Sequence, residues 1–219
     1  IALPRYVTQD EQGFIWIGTQ SEVFRYDGHH LAAFANDLGY VNKILPSEKG
    51  TFATSNLAVT LIDKQLNESK VFHTHKDNRI VDISVQNDWL YILLETQLIR
   101  VDLNDNAYTQ ESILYLEKSE RGTLTATNEK VCATSDAKIM CINFENSVSQ
   151  QLVAPNRIHS AFAKNEVIYF STKKSLFKLS DTNASVEAVL TYTEDVTRIK
   201  ANHHDSIVWG YLDNKMFSY

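Results

Sequence analysis

The chain alternates short apolar runs, rich in β-branched and aromatic residues, with polar turns, and the clearest pair of runs lies near its start. Residues 14–19 form the first run and residues 23–27 form the second, with a polar bend between them. This pattern is typical of the two arms of a β-hairpin. Because a lone hairpin is only marginally stable in water, the pattern requires neighbouring strands.

The second arm of this hairpin recurs along the chain at a nearly constant spacing. Successive copies of the arm end 36 to 41 residues apart. The arms end at Asp27, Asp63, Asp102, Asn143, Ser180 and Tyr219. A repeat of about forty residues that is built from strands is typical of propeller blades and not of helical solenoids.

Each repeat has a short apolar strand before its hairpin, and most repeats have a fourth strand after it, which makes the four strands of a propeller blade. We therefore predict an all-β fold, a β-propeller of about six four-stranded blade units with the last one incomplete. The predicted units span approximately residues 4–36, 40–75, 79–113, 122–153, 157–190 and 196–219. Two alternatives remain: residues 1–219 form a single propeller domain with a thin last blade, or they are a fragment of a larger propeller.

The best competing helix is the stretch of residues 114–121, which combines two leucines with a run of charged residues. A helix of this length is not stable alone in water. We predict that the stretch connects the third and fourth blade units.

Composition and charge narrow the classes of function. The residues are 43% hydrophobic and 22% charged, which is typical of a globular protein. The formal net charge of −6 argues against a nucleic-acid partner. No apolar run approaches the roughly 18 residues of a membrane span, so we expect membrane attachment only through flanking segments. The chain begins without a methionine or a signal segment, and we expect it to be an excised or processed portion of a longer protein.

Cys132 and Cys141 lie nine residues apart, on the two arms of one predicted hairpin. A cross-strand disulfide forms if the register places them opposite each other. The alternative is a pair of buried thiols, which are common in protein cores. Two cysteines alone cannot form a four-ligand structural zinc site.

The first repeat resembles the two-component regulator propeller repeat. The resemblance rests on Asp10-Glu-Gln-Gly13-Phe-Ile-Trp16-Ile-Gly18-Thr19 and on Phe24-Arg25-Tyr26-Asp27. Ser21-Glu22-Val23 departs from the family, which usually has a glycine and a leucine there. The resemblance implies an extracytoplasmic sensor propeller of a membrane-anchored hybrid histidine kinase or diguanylate cyclase. The spacing of the repeat matches the family along essentially the whole chain, but the full motif is present in only one blade.

The residues of the motif have structural explanations. Gly13 suits a tight turn before a strand. We expect Trp16 to pack against the neighbouring blade and Gly18 to allow a close approach of that blade. We expect the Thr19 hydroxyl and the Asp27 carboxylate to bond turn amides. Nothing in the motif is catalytic.

Candidate binding residues lie on or beside the first strand of several units. They are Lys43, Arg79, Asp82, Arg157, His159, Arg198 and Lys200. First strands line the channel of a propeller, and five of these seven residues are cationic in a chain with a net negative charge. We therefore predict a cationic funnel for an anionic small molecule or a carboxylate-bearing sugar. The alternative is that these side chains only satisfy one another and water.

Metal and catalytic chemistry find little support in the sequence. His73 and His75 alternate along a strand and share one face, but no further ligand group accompanies them, so we expect surface histidines. The pairs His29–His30 and His203–His204 fall in predicted turns. No nucleophile elbow, phosphate-binding loop, zinc-protease motif or dinucleotide fingerprint is present. We therefore predict no catalytic residues, no metal and no cofactor.

The predicted function is a non-enzymatic, extracytoplasmic or periplasmic ligand-binding sensor in a bacterial signalling protein. The predicted partners are a small molecule or saccharide ligand and a second copy of the parent protein. One alternative is a protein-interaction scaffold, because an incomplete blade exposes a strand edge. Another is a propeller enzyme that acts on polysaccharide, which requires a pair of carboxylates about 5–10 Å apart. The aromatic residues of the second strands are predicted to be core; they are Trp89, Tyr91, Tyr169, Phe170 and Trp209.

Overall fold

A computed structural model describes residues 3–144, 149–164, 166–180, 185–191, 196–201, 208–212 and 215–218. These residues form β-strands and turns, with no helix among them. No described helix could therefore cross a membrane. The chain divides into two compact units, residues 1–118 and residues 119–219, which are described in turn.

The first unit contains three antiparallel sheets of four strands, with the strands of each sheet in sequence order. Blade 1 consists of β1 (Tyr6–Gln9), β2 (Ile15–Gly18), β3 (Val23–Tyr26) and β4 (Leu31–Phe34). Blade 2 consists of β5 (Lys43–Ser47), β6 (Gly50–Thr54), β7 (Ala58–Asp63) and β8 (Glu68–His73). Blade 3 consists of β9 (Ile80–Gln86), β10 (Trp89–Leu94), β11 (Gln97–Asp102) and β12 (Gln110–Tyr115).

The second unit repeats the same order of strands. Blade 4 consists of β13 (Leu124–Ala126), β14 (Lys130–Ser135), β15 (Lys138–Asn143) and β16 (Ser149–Val153). Blade 5 consists of β17 (Ile158–Lys164), β18 (Val167–Thr172), β19 (Ser175–Ser180) and β20 (Ser185–Thr191). The sixth sheet, blade 6, consists of β21 (Val196–Ala201), β22 (Val208–Leu212) and β23 (Lys215–Ser218), and only its backbone is described.

This succession of four-stranded antiparallel sheets confirms the predicted all-β propeller class. The predicted runs at residues 14–19 and 23–27 match β2 and β3 to within one residue at each end. Residues 114–121 contain no helix: β12 extends to Tyr115, and the rest of the stretch is irregular. The last predicted arm end, Tyr219, lies outside the described residues.

Trp16 joins blades 1 and 2. Its side chain is buried in a cluster that contains Phe34 of blade 1 and Ile44 of blade 2. Its indole N–H donates to Oδ2 of Asp10 at 2.7 Å. A methyl group at Gly18 would lie 2.5 Å from Cγ1 of Val41, so only glycine permits this approach. Both expectations for the packing of the motif are confirmed.

The recurring hydroxyl and carboxylate residues cap the turns that join the strands. The Thr19 hydroxyl accepts the backbone N–H groups of Ser21 and Glu22. The Thr172 hydroxyl accepts the equivalent pair in blade 5, at Lys174 and Ser175. In the turn after the third strand of a blade, aspartate carboxylates cap the backbone in the same way. Asp27, Asp63 and Asp102 each accept at least one backbone N–H of the turn that follows. The repeat period therefore reflects turn capping and packing, as the motif predicts.

A disulfide links Cys132 and Cys141 in blade 4. The two residues lie directly opposite each other on β14 and β15, with their Cα atoms 4.1 Å apart. Both are buried in a cluster that includes Ile168 and Phe170 of blade 5. The strand register therefore places the two cysteines opposite each other, which is the condition that the predicted cross-strand disulfide requires.

Candidate functional site

The predicted site residues lie on or beside the innermost strands of both units. In the first unit, Lys43 begins β5, Arg79 immediately precedes β9, and Asp82 lies within β9. In the second unit, Arg157 immediately precedes β17 and His159 lies within it. The strand positions follow from the apolar runs that start each repeat, so the sequence locates these residues correctly.

Lys43 and Asp82 form an ion pair between the innermost strands of blades 2 and 3. The Lys43 ammonium lies 2.6 Å from Oδ1 of Asp82, and it also donates to the carbonyl of Ile83 at 2.7 Å. The same carboxylate oxygen accepts the N–H of Ile83. The exposed fractions of the two side chains are only 23% and 14%. Lys43 is thus engaged in holding adjacent blades together, and its charge is offset locally.

Arg79 lies at the same end of the first unit but is exposed. Its carbonyl accepts the N–H of Glu95, the residue that follows β10. The Glu95 carboxylate is 4% exposed and lies 3.4 Å from the Lys118 ammonium. The residue bonded to the Arg79 backbone thus carries a buried carboxylate with a cationic partner, and this end of the first unit is not uniformly cationic.

The second unit has three basic residues near the start of β17. The Arg157 side chain is 43% exposed, and its Nε lies 3.7 Å from Oδ1 of Asp136, which is also exposed. Burial lowers the pKa of half-buried His159, and the nearby charges of Arg157 and Lys173 lower it further. Lys173 is itself exposed. We call Arg157, His159 and Lys173 the basic cluster.

The local fold places these three residues at one end of blade 5. The N–H of Ile158 donates to the carbonyl of Asp136 at 2.8 Å, which fixes the start of β17 beside the turn between β14 and β15. Lys173 lies in the turn between β18 and β19, which the Thr172 hydroxyl caps. Since β17 and β18 are paired, that turn lies beside the start of β17.

The basic cluster has the chemistry of an anion site. Two cations and one imidazole offer several N–H donors, and charge-assisted hydrogen bonds to a carboxylate or phosphate are stronger than neutral ones. Because the pKa of His159 lies below its usual value near 6.5, the imidazole is mainly neutral at pH 7 in the free protein. A bound anion would favour the protonated form.

Sequence reasoning missed Lys173. The residue does not lie on an innermost strand, and only the pairing of β17 with β18 brings its turn to the same end of the blade. The signal available was its position directly after Thr172, the cap of a strand-connecting turn. Two predicted residues, Arg198 and Lys200, lie on β21, opposite Tyr211 and Trp209 in the strand register. Their side chains lie outside the described residues, so their place in the site stays a prediction.

The histidine pairs and the aromatic residues have local contacts. The rings of His73 and His75 lie 6.2 Å apart and both residues are exposed, but no three potential metal ligands cluster within the described ranges. The N–H groups of His29 and His30 bond Asp27. His203 and His204 lie outside the described residues.

Two of the four described second-strand aromatic residues lie in the core, as predicted, and the other two, Trp89 and Tyr169, are half-buried. Tyr91 and Phe170 are buried. Tyr169 stacks on Phe162 with a centroid distance of 5.3 Å. The Arg100 guanidinium covers the ring of Trp89 at 4.4 Å. The side chain of Trp209, the fifth such residue, is outside the described part of the chain.

Comparisons with known proteins show which solved structures have a similar fold. No protein-family model matches the chain, and no curated protein matches it either. Among solved structures, it is similar to the extracellular domain of BT4673, assigned as a hybrid two-component system of B. thetaiotaomicron. The TM-score is 0.73 at 13% identity, over 100% of this chain and 32% of that one. The extracellular domain of BT3049, assigned likewise in the same organism, gives a TM-score of 0.69 at 14% identity, over 97% of this chain and 33% of that one.

A third similar structure is BamB from Moraxella catarrhalis. Its TM-score is 0.62 at 13% identity, over 97% of this chain and 80% of that one. At these identities the similarity is one of fold. The chain spans about a third of the length of the two extracellular domains. The match to extracellular domains of two-component systems agrees with the sensor-propeller repeat that the first blade resembles.

Proposed function

We propose that this chain is part of an extracytoplasmic sensor propeller in a membrane-anchored bacterial signalling protein, without enzymatic activity of its own. The observation that carries the proposal is the fold similarity to extracellular domains of two-component systems along essentially the whole chain. The motif of the first repeat supports it independently. The disulfide adds a physical argument, because structural disulfides persist in oxidising compartments outside the cytoplasm.

An extracytoplasmic location predicts that exposed lysines react with an impermeant reagent outside the cytoplasm. Intact cells that produce the protein at its natural length are treated with a sulfonated amine-reactive biotin, and modified peptides are identified by mass spectrometry. Lys70 and Lys118 are 54% and 60% exposed, and we expect both to be labelled. A cytoplasmic protein of the same cells is the control. Labelling that requires cell lysis would contradict the proposal.

The proposed sensor function uses the basic cluster to bind an anionic group of a small molecule or saccharide. The cluster supports this proposal because Arg157 and Lys173 are exposed and close enough to His159 to lower its pKa. Binding would draw the two sides of the cluster together. Because Arg157 lies in the connection between blades 4 and 5 and Lys173 lies in a turn of blade 5, binding would also bias the packing of these blades.

We expect glucuronate and inorganic phosphate to bind the basic cluster, as detected by NMR titration of the chain. Replacing both Arg157 and Lys173 by alanine should weaken binding by about tenfold or more, since two charge-assisted hydrogen bonds are lost. Lys70→Ala is the matched control, because it removes an exposed cation of the first unit and should leave affinity unchanged. Unchanged affinity in the double variant would contradict the assignment of the site.

The titration with glucuronate, whose carboxylate stays ionised between pH 8 and 5, has a predicted dependence on pH. Since the free protein favours neutral His159 and a bound anion favours the protonated form, affinity should rise as the pH falls from 8 towards 5. In His159→Gln this rise should disappear while binding at pH 8 remains. A rise of equal size in the variant would show that another group is responsible.

A further inference from the structure

His73 and His75 form a pair of exposed imidazoles at the end of blade 2. His73 is the last residue of β8, where it lies opposite Ala58 of β7. The residue between the two histidines, Thr74, is buried, and alternate residues of an extended segment project to the same side. The ring centroids of the two histidines lie 6.2 Å apart, with the ring planes at 88°. The two imidazoles are therefore neighbours on one exposed patch.

Hydrogen bonds hold the backbone from which both imidazoles project. The N–H of Thr74 donates to the carbonyl of Leu57 at 2.8 Å, so the contact between β8 and β7 continues past His73. The Thr74 hydroxyl donates to the carbonyl of Asn78 at 2.9 Å, and the N–H of Asn78 donates to the carbonyl of His75 at 3.1 Å. Residues 74–78 thus form a closed turn. Ligands on a fixed backbone lose less conformational entropy when they bind.

The imidazole nitrogens of this pair are available to a ligand. Among the residues that the structure describes, neither imidazole has a hydrogen bond or an ion pair, and their contact is with each other. The neighbouring charges also permit a cation. Lys70 is ion-paired with Asp37 at 2.6 Å, so its charge is offset locally.

We propose that His73 and His75 bind one divalent first-row transition-metal ion, Cu(II) most tightly, with water completing its coordination. Imidazole nitrogen suits copper, nickel and zinc, whereas calcium and magnesium take oxygen ligands. Affinity for a nitrogen site rises along the first-row series to a maximum at Cu(II). This site does not depend on the proposed sensor function or on the basic cluster.

The ring spacing is close to that of two imidazoles on one ion. A metal ion lies about 2.0–2.1 Å from each ligating nitrogen, which places the centroids of two neighbouring ligand rings roughly 4.5–5.2 Å apart. The observed 6.2 Å must therefore shorten by about 1 Å, which small rotations of two exposed side chains provide. The described residues add no third histidine, cysteine or carboxylate to the pair, so we expect reversible binding. The bound ion would link the end of β8 to the turn that leads to blade 3.

The test is a titration of the whole chain, without an affinity tag, with copper(II) sulfate. Electron paramagnetic resonance at one equivalent reports the nitrogen ligands, and competition with glycine gives the affinity. His73→Gln and His75→Gln each remove one ligand from an exposed position. The matched control is the double variant His29→Gln/His30→Gln, which removes another exposed pair, with ring centroids 6.5 Å apart.

We expect one Cu(II) ion bound by two imidazole nitrogens, with weaker binding of Zn(II) and none of Ca(II). Loss of a group that only supports a metal ligand typically costs about 10–100-fold in affinity, so each single variant should lose about tenfold or more. The control should keep the affinity of the unaltered chain. Unchanged affinity in either single variant, or a loss confined to the control, would overturn the proposal. Equal affinity for Ca(II) and Cu(II) would also overturn it, because oxygen ligands would then be responsible.

Discussion

Replacing Trp16 by alanine should destabilise the first unit by about 3–5 kcal/mol, the usual cost of removing a large buried aromatic side chain. Trp16 is 3% exposed, and its ring lies 5.8 Å from that of Phe34. The cluster around it includes residues of both blade 1 and blade 2. The substitution therefore leaves a cavity at the contact between two sheets. The measurement is the free energy of unfolding from denaturant titration followed by circular dichroism.

Trp16→Phe separates the packing of the ring from its hydrogen bond. The phenyl ring keeps most of the apolar contact but cannot donate to Oδ2 of Asp10. The other oxygen of Asp10 still accepts the N–H groups of Gln12 and Phe14 in the turn. We expect a loss of about 1–2 kcal/mol for Trp16→Phe, in line with one hydrogen bond to a charged group plus some lost volume. If Trp16→Ala cost no more than Trp16→Phe, burial at the blade contact would not be the main role of this residue.

The contacts of Trp16 show what the sequence could predict. A local motif specifies its own hairpin, so the turn at Gly13, the caps at Thr19 and Asp27 and the burial of Trp16 could all be read from spacing and residue type. The same holds for the close approach at Gly18, since glycine on a buried strand indicates a near neighbour.

The candidate site was less predictable because it depends on contacts between repeats. Lys43 and Asp82 are 39 residues apart, and the pattern that places each on an innermost strand does not say that they meet. The sequence therefore predicts the correct strands, but it also predicts that Lys43 binds a ligand, whereas the structure pairs Lys43 with Asp82. Lys173 was missed for the opposite reason, since its turn belongs to a hairpin and reaches the site only through the pairing of β17 and β18.

The disulfide also required the register between strands. Nine residues of separation place two cysteines on one hairpin, but a shift of one residue would turn the two side chains to opposite faces. The observed register pairs Cys132 with Cys141 directly. In the order of the strands, Cys132 occupies the second-strand position that Trp16 occupies in blade 1, and it too is buried against the next blade. Blade 4 therefore uses a covalent link at the place where blade 1 uses a large ring.

Reducing this disulfide should lower the stability of the second unit by about 2–3 kcal/mol, the loop-closure value for a link between residues nine apart. The link restricts the unfolded chain, so its loss favours unfolding even though both thiols stay in place. The measurement is the midpoint of denaturation of the oxidised and the reduced protein. The double variant Cys132→Ala/Cys141→Ala is the control, because reductant should not change its midpoint.

The native state should resist reduction, because Cys132 and Cys141 are 0% and 3% exposed and a reductant reaches them only when blade 4 opens. Reduction should therefore be slow in buffer and should accelerate in denaturant below the unfolding midpoint. Equal stability of the oxidised and reduced forms would contradict the structural role of the bond. Protein taken from its own cells under alkylating conditions should carry no free thiol, because an extracytoplasmic compartment favours the bond. A fully alkylated pair would contradict both the proposed location and the dependence of blade 4 on oxidation.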